Sequence, residues 1–385
     1  MLKLVALATL CLSAICTSAT SSPAILVDCD AGQSLKHTLA RLDKFSPAKV
    51  VIKGTCTEYV LVDGFYNLTL KGLQGATLQQ PDTTPPENPG YVLSVKGSHG
   101  LTITGLTLHS SASVFSVIGV GRGSDDVLLR NVTTDGSWGV VIYDGSQVWL
   151  QRVNVNLAFG FAGVAVFDQS DVHMTDSLIK HSPGVSFRAG LLVGAAHATL
   201  QGTTIRDMEW GFDIGTSGIV DTVNFDPSAA GVDVTIENPA GTNFDGAIVT
   251  DGSSLNVGSA KLRITNAGQP YGEDTAGVFV TNGSTLNGGS NLVVSGSQGQ
   301  GVIVSNNSHA QFSGSSITGS AHGGLVITNL STANTDSNNG PTTISGNAID
   351  LFCDSRSQIA GAMNIANANT MQCNNLLFGR YENLP

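Results

Sequence analysis

The feature that most constrains the fold is a short phrase, a glycine followed by alternating apolar residues, that recurs along most of the chain. It occurs as Gly139-Val-Val-Ile, Gly163-Val-Ala-Val, Gly190-Leu-Leu-Val and Gly211-Phe-Asp-Ile. The leading residues are Gly90, Ser116, Gly139, Gly163, Gly190, Gly211, Gly246, Gly277, Gly301, Gly324 and Asp350, and most are 21 to 27 residues apart. Repeats of this length without a helical pattern predict a solenoid of short β-strands.

Composition and the pattern inside each repeat support an all-β chain. Only 12% of the residues are charged and 46 are glycine, which favours strands and tight turns over surface helices. The first and third residues after the leading glycine, such as Val140 and Ile142, are predicted to point inward. A turn with Asp or Asn and Ser follows, as in Asp144-Gly-Ser146. These side chains tolerate left-handed backbone, so we interpret them as a structural ladder and not as catalysts.

The two ends of the chain differ from the repeats. Residues Gln33 to Phe45 are predicted to form an amphipathic helix that caps the open end of the stack, with Leu35, Leu39 and Leu42 on one face. The predicted organisation is a signal peptide (1–19), an N-terminal cap with the first coils (20–89), the β-helix (90–373) and a C-terminal tail (374–385).

The N-terminal sequence and the cysteines predict export. Lys3, an apolar run and the small residues up to Ala19 are typical of a cleavable secretory signal, so the protein is expected in an extracellular or periplasmic space. No later run is long enough to span a membrane. Four cysteines remain after cleavage, and we predict disulfides between Cys29 and Cys56 and between Cys353 and Cys373, with free buried thiols as the alternative.

The repeats and the opening Ile52-Lys-Gly-Thr55 together resemble the right-handed parallel β-helix proteins of the pectate-lyase-like superfamily. The resemblance covers residues 29–373 and implies a three-sided right-handed solenoid. That scaffold carries lyases, hydrolases, epimerases, phage tailspikes and non-enzymatic surface proteins, so it implies a fold and no particular reaction. The long intervals after Gly211 and Gly246 predict two inserted loops, 226–245 and 266–276.

Net charge limits the partners. The formal charge of -11 argues against nucleic acid, because phosphate binding needs a basic face. It also disfavours a polyanionic substrate at long range, although a local basic groove can still bind one. We predict no cofactor: Asp125 and Asp126 are candidate calcium ligands, but the sequence shows no recognisable clustered calcium site.

The candidate site lies between residues 135 and 213. On the third strand of each coil we expect inward Leu108, Val155, Ile179 and Ile205, and beside them an outward column of His109, Asp135, Asn156, Lys180 and Arg206. The catalytic candidates are Lys180, His181, Arg206, Asp207, Glu209 and Asp213. The substrate-binding candidates are Trp138, Asn156, Arg188 and Trp210. Trp138 and Trp210 each precede a leading glycine, which predicts that both occupy the same corner.

These residue types fit carbohydrate chemistry in two ways. β-Elimination on a uronate needs a cation, Arg206 or Lys180, and a base, His181. Hydrolysis needs two carboxylates, for which Asp207, Glu209 and Asp213 are the candidates. Asp213 falls in an outward apolar row, which predicts a raised pKa or a specific partner.

The leading hypothesis is therefore a secreted protein that binds or cleaves a polysaccharide, as a lyase or a hydrolase, with a polysaccharide or a cell-surface glycan as its partner. The alternative is a non-catalytic structural or adhesive surface protein. In that case the charged candidates form surface salt bridges and the tryptophans are corner packing.

Overall fold

Three parallel sheets wind around one core. The computed structural model describes residues 23–81, 90–111, 114–181, 189–225, 232–238, 245–269, 275–335, 340–361 and 363–365. Each coil adds one strand to each sheet, in an order that starts at the leading glycine; we call the sheets 1, 2 and 3. They contain 12, 14 and 13 strands. The predicted all-β, three-sided solenoid is confirmed.

The strands are short and their bounds follow the repeat. Sheet 1 consists of Val60–Asp63, Tyr91–Lys96, Ser116–Gly121, Trp138–Ile142, Ala162–Phe167, Ala189–Gly194, Trp210–Gly215, Asp245–Val249, Ala276–Val280, Gln300–Val304, Gly323–Ile327 and Ile349–Cys353. Sheet 2 consists of Ile25–Asp28, Ala48–Lys53, Leu68–Gly72, Thr102–Thr104, Val127–Arg130, Gln147–Gln151, Asp171–Thr175, His197–Gln201, Ile219–Thr222, Ser254–Val257, Thr285–Gly289, His309–Phe312, Thr332–Asn334 and Gln358–Ala360. Sheet 3 consists of Thr55–Thr57, Thr77–Gln79, Thr107–His109, Thr133–Gly136, Asn154–Leu157, Leu178–His181, Thr204–Arg206, Val234–Glu237, Leu262–Thr265, Leu292–Ser295, Ser316–Thr318, Thr342–Ser345 and Met363–Ile365.

The core is one continuous apolar cluster that runs from Val27 to Met363. The predicted inward residues of sheet 1, including Val140 and Ile142, are fully buried, and so are Ile179 and Ile205 of sheet 3. Alternation along each strand therefore assigned the inner and outer faces correctly, because successive strand residues point to opposite sides of a sheet.

The leading glycines are explained by a close approach between coils. A Cβ atom added to Gly190 would overlap the side chain of Ile205 and approach the carbonyl oxygen of Gly211. The glycines are therefore required where two coils come close together.

The first two leading residues, Gly90 and Ser116, were assigned wrongly. The register pairs Ser116 with Trp138 and with Tyr91, so Val117 and Val92 hold the position of Gly139. Both coils begin with valine at that position, and the glycine pattern therefore placed their start one or two residues early.

The turns between sheets 1 and 2 form the predicted ladder. Asp144 and Asp168 have left-handed backbone, with φ of 55° at each. The backbone N–H of Ser124 donates to Oγ of Ser146 at 3.2 Å, and that of Ser146 donates to Oγ of Ser170 at 3.1 Å. The turn residues of successive coils thus satisfy one another's buried polar groups.

The N-terminal helix is present but shorter than predicted. It spans Leu35–Leu39, after a 3-10 turn at Cys29–Ala31, and buries Leu35 and Leu39 against the core. The predicted extension to residue 45 is wrong, because the side chain of Asp43 accepts a hydrogen bond from the backbone N–H of Phe45 at 3.1 Å and holds the chain in a turn.

One of the two predicted disulfides is confirmed. Cys29 and Cys56 are bonded, with their Cα atoms 5.1 Å apart. Cys353 is buried at the end of its sheet 1 strand, and Cys373 lies outside the described residues, so the second disulfide stays a prediction. The signal peptide, 1–19, also lies outside the described residues.

The predicted insertion 226–245 needs correction. It contains the sheet 3 strand Val234–Glu237, which pairs with Thr204–Arg206 and with Leu262–Thr265, and Asp245 begins the next sheet 1 strand. The interval after Gly211 is long because this regular strand has a connection before it and another after it. The sequence pattern did not distinguish the strand from these connections.

Candidate functional site

The predicted column on sheet 3 exists. Asp135 pairs in register with Asn156, Asn156 with Lys180, and Lys180 with Arg206. Both cations are exposed. Nε of Arg206 donates to Oε1 of Glu237 at 2.6 Å, so the guanidinium charge is already balanced by the next coil. Lys180 pairs with no carboxylate in the described part of the chain.

The remaining charged candidates lie near this column. His181 ends the strand that carries Lys180, and Asp207 follows Arg206 with left-handed backbone, φ 57°. Glu209 is half-buried, and its carbonyl accepts the backbone N–H of Asp245 at 3.1 Å. Arg188 lies outside the described residues. His181, Asp207 and Glu209 therefore lie on sheet 3 and at its corner with sheet 1, whereas Asp213 is on sheet 1.

The outer face of sheet 1 carries a second hydrophobic cluster, separate from the core. Val141, Ala165 and Leu192 are neighbours along the middle of this face. Aromatic rings at the two ends of the strands pack against these three residues. At the strand starts the rings are Tyr91, Phe115, Trp138, Phe161 and Trp210, with successive centroids 4.7 to 6.1 Å apart. At the strand ends they are Tyr143 and Phe167.

The row of rings at the strand ends stops abruptly, and a pocket opens there. Tyr143 and Phe167 are followed at the same register position by Gly194 and Gly215. Because these glycines have no side chains, a cavity of about 390 Å³ remains between Phe167 and Thr250. We call it the Asp213 pocket; its lining also includes Leu192, Asp213 and the turn residues Asp168 and Asp251.

Asp213 replaces an apolar residue on the floor of this pocket, between Leu192 and Ile248. Burial raises the pKa of its carboxyl group above the ordinary value, as the apolar row predicted. At the rim, the carboxylate of Asp251 accepts hydrogen bonds from the Thr250 hydroxyl and the Asn282 amide, each at 3.2 Å. The pocket thus combines a half-buried carboxyl group with a raised pKa and two carboxylates in exposed turns.

Trp138 and Trp210 occupy the same register position, as predicted, with Ala162 and Ala189 between them. The ring of Phe161 fills the space over the two alanines, and its centroid lies 5.8 Å from that of each tryptophan.

Asp245 occupies the same register position as Trp210 on the next coil and is 5% exposed. Burial raises its pKa to about 7, although the backbone N–H of Ala276 donates to its carboxylate at 2.7 Å.

Sheet 2 carries polar and aromatic groups outside the predicted site, and Trp149 and His173 are neighbours there, as the repeat alignment predicts. Nε2 of His197 lies 2.9 Å from Asp221, and its Nδ1 lies 3.4 Å from Asp171, which also contacts His173. Hydrogen bonds that the imidazole donates to the carboxylates of Asp171 and Asp221 raise the pKa of His197 to about 10. The imidazole is therefore a cation at neutral pH and stabilises two carboxylates, which is a structural role and not that of a general base.

Beside this network lies an aromatic pocket of about 480 Å³, lined by Leu128, Trp149, Gln151, His173, Thr175 and Phe225. The rings of Trp149 and His173 stack with centroids 5.3 Å apart. The sequence signal was the alternation of Trp149 and His173 with buried residues, but their neighbours on adjacent coils become visible only when sheet 2 is assembled.

These observations define the chain as a parallel β-helix protein with concave polar and aromatic sites on its outer surface. No protein-family model and no curated protein sequence matches it. No helix in the described residues is long and apolar enough to cross a membrane.

The similar solved structures have different functions. One is the surface protein and adhesin PfbA of Streptococcus pneumoniae (13% identity, TM-score 0.34, 82% of this chain and 91% of that chain). Another is the catalytic domain of a GH87 α-1,3-glucanase in complex with tetrasaccharides (13%, TM-score 0.44, 94% and 70%). A third is the receptor-binding tailspike of bacteriophage Det7 (12%, TM-score 0.27, 92% and 78%). At these values the similarity concerns the fold only.

Proposed function

We propose that this protein acts outside the cytoplasm and binds a neutral polysaccharide on the outer face of sheet 1, with one sugar unit in the Asp213 pocket. The observation that carries the proposal is the concave pocket of about 390 Å³ at the point where a row of aromatic rings ends. Its volume is in the range of small-ligand sites. The disulfide between Cys29 and Cys56 supports an oxidising compartment.

Aromatic and acidic groups have complementary roles in this proposal. The ring of Phe167 at the pocket wall offers an apolar surface to the C–H face of a sugar, and the carboxylates of Asp168 and Asp251 accept hydrogen bonds from hydroxyl groups. Among the residues that the structure describes, no lysine or arginine lines the pocket. Two exposed carboxylates and a third carboxyl group, without a cation, disfavour a uronate or a sulfated sugar, so the proposed ligand is neutral.

Hydrolysis is the second candidate function, because the Asp213 pocket contains carboxyl groups in unlike environments. Asp213 is half-buried with a raised pKa, which suits a proton donor, whereas Asp168 and Asp251 are exposed. Elimination has less support, since the Arg206 guanidinium that would neutralise a uronate is bonded to Glu237.

Replacing Phe167 by alanine should weaken binding of a neutral polysaccharide about tenfold, because one stacking surface of the pocket is lost. Affinity electrophoresis on xylan and on glucans gives the dissociation constants. The matched control is Phe225→Ala on sheet 2, which removes the same ring from another face and should leave this affinity unchanged. The proposal fails if the wild type binds no neutral polymer, or if both variants lose affinity equally.

The same polymers test cleavage through the release of reducing ends. Hydrolysis predicts activity that is lost in Asp213→Asn while binding is retained, because the amide keeps the shape but cannot donate a proton to the leaving group. Binding by the wild type without any products would assign the face to adhesion and contradict the hydrolytic candidate.

A further inference from the structure

The outer face of sheet 2 contains a basic pocket near the N-terminal end of the solenoid. Lys49, Lys71, Arg130 and Arg152 line it together with Thr69, Thr102, Thr104 and Asn131, around a cavity of about 530 Å³. In register, Lys71 pairs with Thr104 and Thr104 with Arg130, so the two cations lie on either side of a threonine. Two register steps correspond to roughly 10 Å between their backbones.

These four cations are grouped around one cavity and have no ionic partner among the residues that the structure describes. Lys44, Lys53, Arg206 and Arg263 each pair with a carboxylate. Across the residues that the structure describes, Lys49, Lys71, Arg130 and Arg152 form no salt bridge, and no carboxylate lines their pocket. In a chain with a net charge of -11, four unpaired cations around one cavity repel each other unless an anion offsets them.

The basic pocket continues into the aromatic pocket. Leu128 of the aromatic pocket and Arg130 of the basic pocket are on the same strand, and Gln151 precedes Arg152. Beyond the aromatic pocket lie Asp171 and Asp221, whose carboxylates pair with the His197 imidazole. The lysine and arginine side chains of the basic pocket therefore end at the aromatic pocket, an arrangement that suits a polymer with sugar rings and separated anionic groups. A nucleic acid would require a longer basic track for its phosphates.

We propose that sheet 2 binds an acidic polysaccharide, with a carboxylate or sulfate group in the basic pocket and a sugar ring against Trp149. The threonine hydroxyls between the cations donate further hydrogen bonds to the anionic oxygens. This site lies on a different sheet from the Asp213 pocket and takes a ligand of opposite electrostatic preference. This proposal is independent of the proposed binding on sheet 1, because the two sites share no residue.

The test uses polygalacturonate as a carboxylate polymer, heparin as a sulfated polymer, a neutral glucan and a single-stranded DNA oligonucleotide. We expect the wild type to bind at least one acidic polymer more tightly than DNA, and we expect added salt to weaken that binding. The double variant Lys71→Gln/Arg130→Gln should bind that polymer at least about tenfold more weakly, since it removes both charges that flank Thr104. Binding to polygalacturonate alone identifies the carboxylate, and binding to heparin alone identifies the sulfate.

Two controls separate the site from general electrostatics. Lys36→Gln/Arg41→Gln removes the same charge from the N-terminal cap and should retain wild-type affinity. Lys71→Arg/Arg130→Lys keeps both charges and should bind nearly as well as the wild type. The inference is overturned if no acidic polymer binds, if the cap variant loses as much affinity as the pocket variant, or if DNA binds as tightly. Phe167→Ala, on sheet 1, should leave the affinity for the acidic polymer unchanged. Loss of neutral-polymer binding on sheet 1 can therefore be distinguished from loss of acidic-polymer binding on sheet 2.

Discussion

Replacing Gly211 by alanine should destabilise the solenoid by about 2–4 kcal/mol. The added Cβ atom would overlap the carbonyl oxygen of Gly246 on the next coil and a methyl group of Ile236 on sheet 3. The backbone atom belongs to a paired strand and cannot move without disturbing its ladder. Urea denaturation measures the free energy of unfolding.

Gly215→Ala is the matched control for this substitution. It is in the same strand, and its added Cβ would meet only Cγ2 of Thr250, at an ordinary contact distance of 3.6 Å. We expect it to change the free energy of unfolding by less than about 1 kcal/mol. Equal stability of the two variants would show that the leading glycines do not result from the close approach of coils.

Asp245→Asn should stabilise the protein by about 2–4 kcal/mol at pH 8 and have little effect near pH 4. The carboxyl group is buried at the start of its strand, and burial raises its pKa to about 7. Its folded-state pKa is above that of the unfolded chain, about 4, so the folded protein binds more protons between these values. The wild type therefore loses stability as pH rises from about 4 to 7 and loses no more from this group above 7.

The asparagine variant keeps an oxygen for the backbone N–H of Ala276 but has no charge to bury. Its stability curve should lack the decline that this carboxyl group causes. Asp144→Asn, in an exposed turn, serves as the control and should follow the wild-type pH profile. The assignment fails if Asp245→Asn destabilises the protein at pH 8.

Much of the fold could be predicted from the sequence because the solenoid repeats one local pattern. The inward positions Val140 and Ile179 and the outward neighbours Lys180 and Arg206 are all found as expected. Each assignment followed from two patterns: the alternation of inward and outward residues along a strand, and the number of residues in each coil. Asp213 was recognised in the same way, as an acid in an apolar row, and the structure places it in a pocket.

The sites themselves depended on features that the pattern did not include. The Asp213 pocket arises from side chains that are missing at Gly194 and Gly215, and an absent side chain has no periodic signal. The basic pocket joins Lys49 and Lys71 to Arg130, but the first coils lack the leading glycine and were not aligned with the later ones.

The ion pair of Arg206 was missed for a related reason. Its partner Glu237 lies in a segment that was interpreted as an insertion. Aligning this strand required the parallel pairing itself, because long connections on both sides obscured the period.

The measurement that tests the central claim most directly is the affinity of Gly215→Phe for the neutral polysaccharide that binds the wild type most tightly. The substitution adds a ring at the register position of Tyr143 and Phe167, two coils beyond Phe167, and fills the Asp213 pocket, at a position where the added Cβ has room. With stability near that of the wild type, we expect affinity to fall at least about tenfold in Gly215→Phe and to be retained in Gly215→Ala. Wild-type affinity in a folded Gly215→Phe variant would contradict the assignment of this pocket as the binding site.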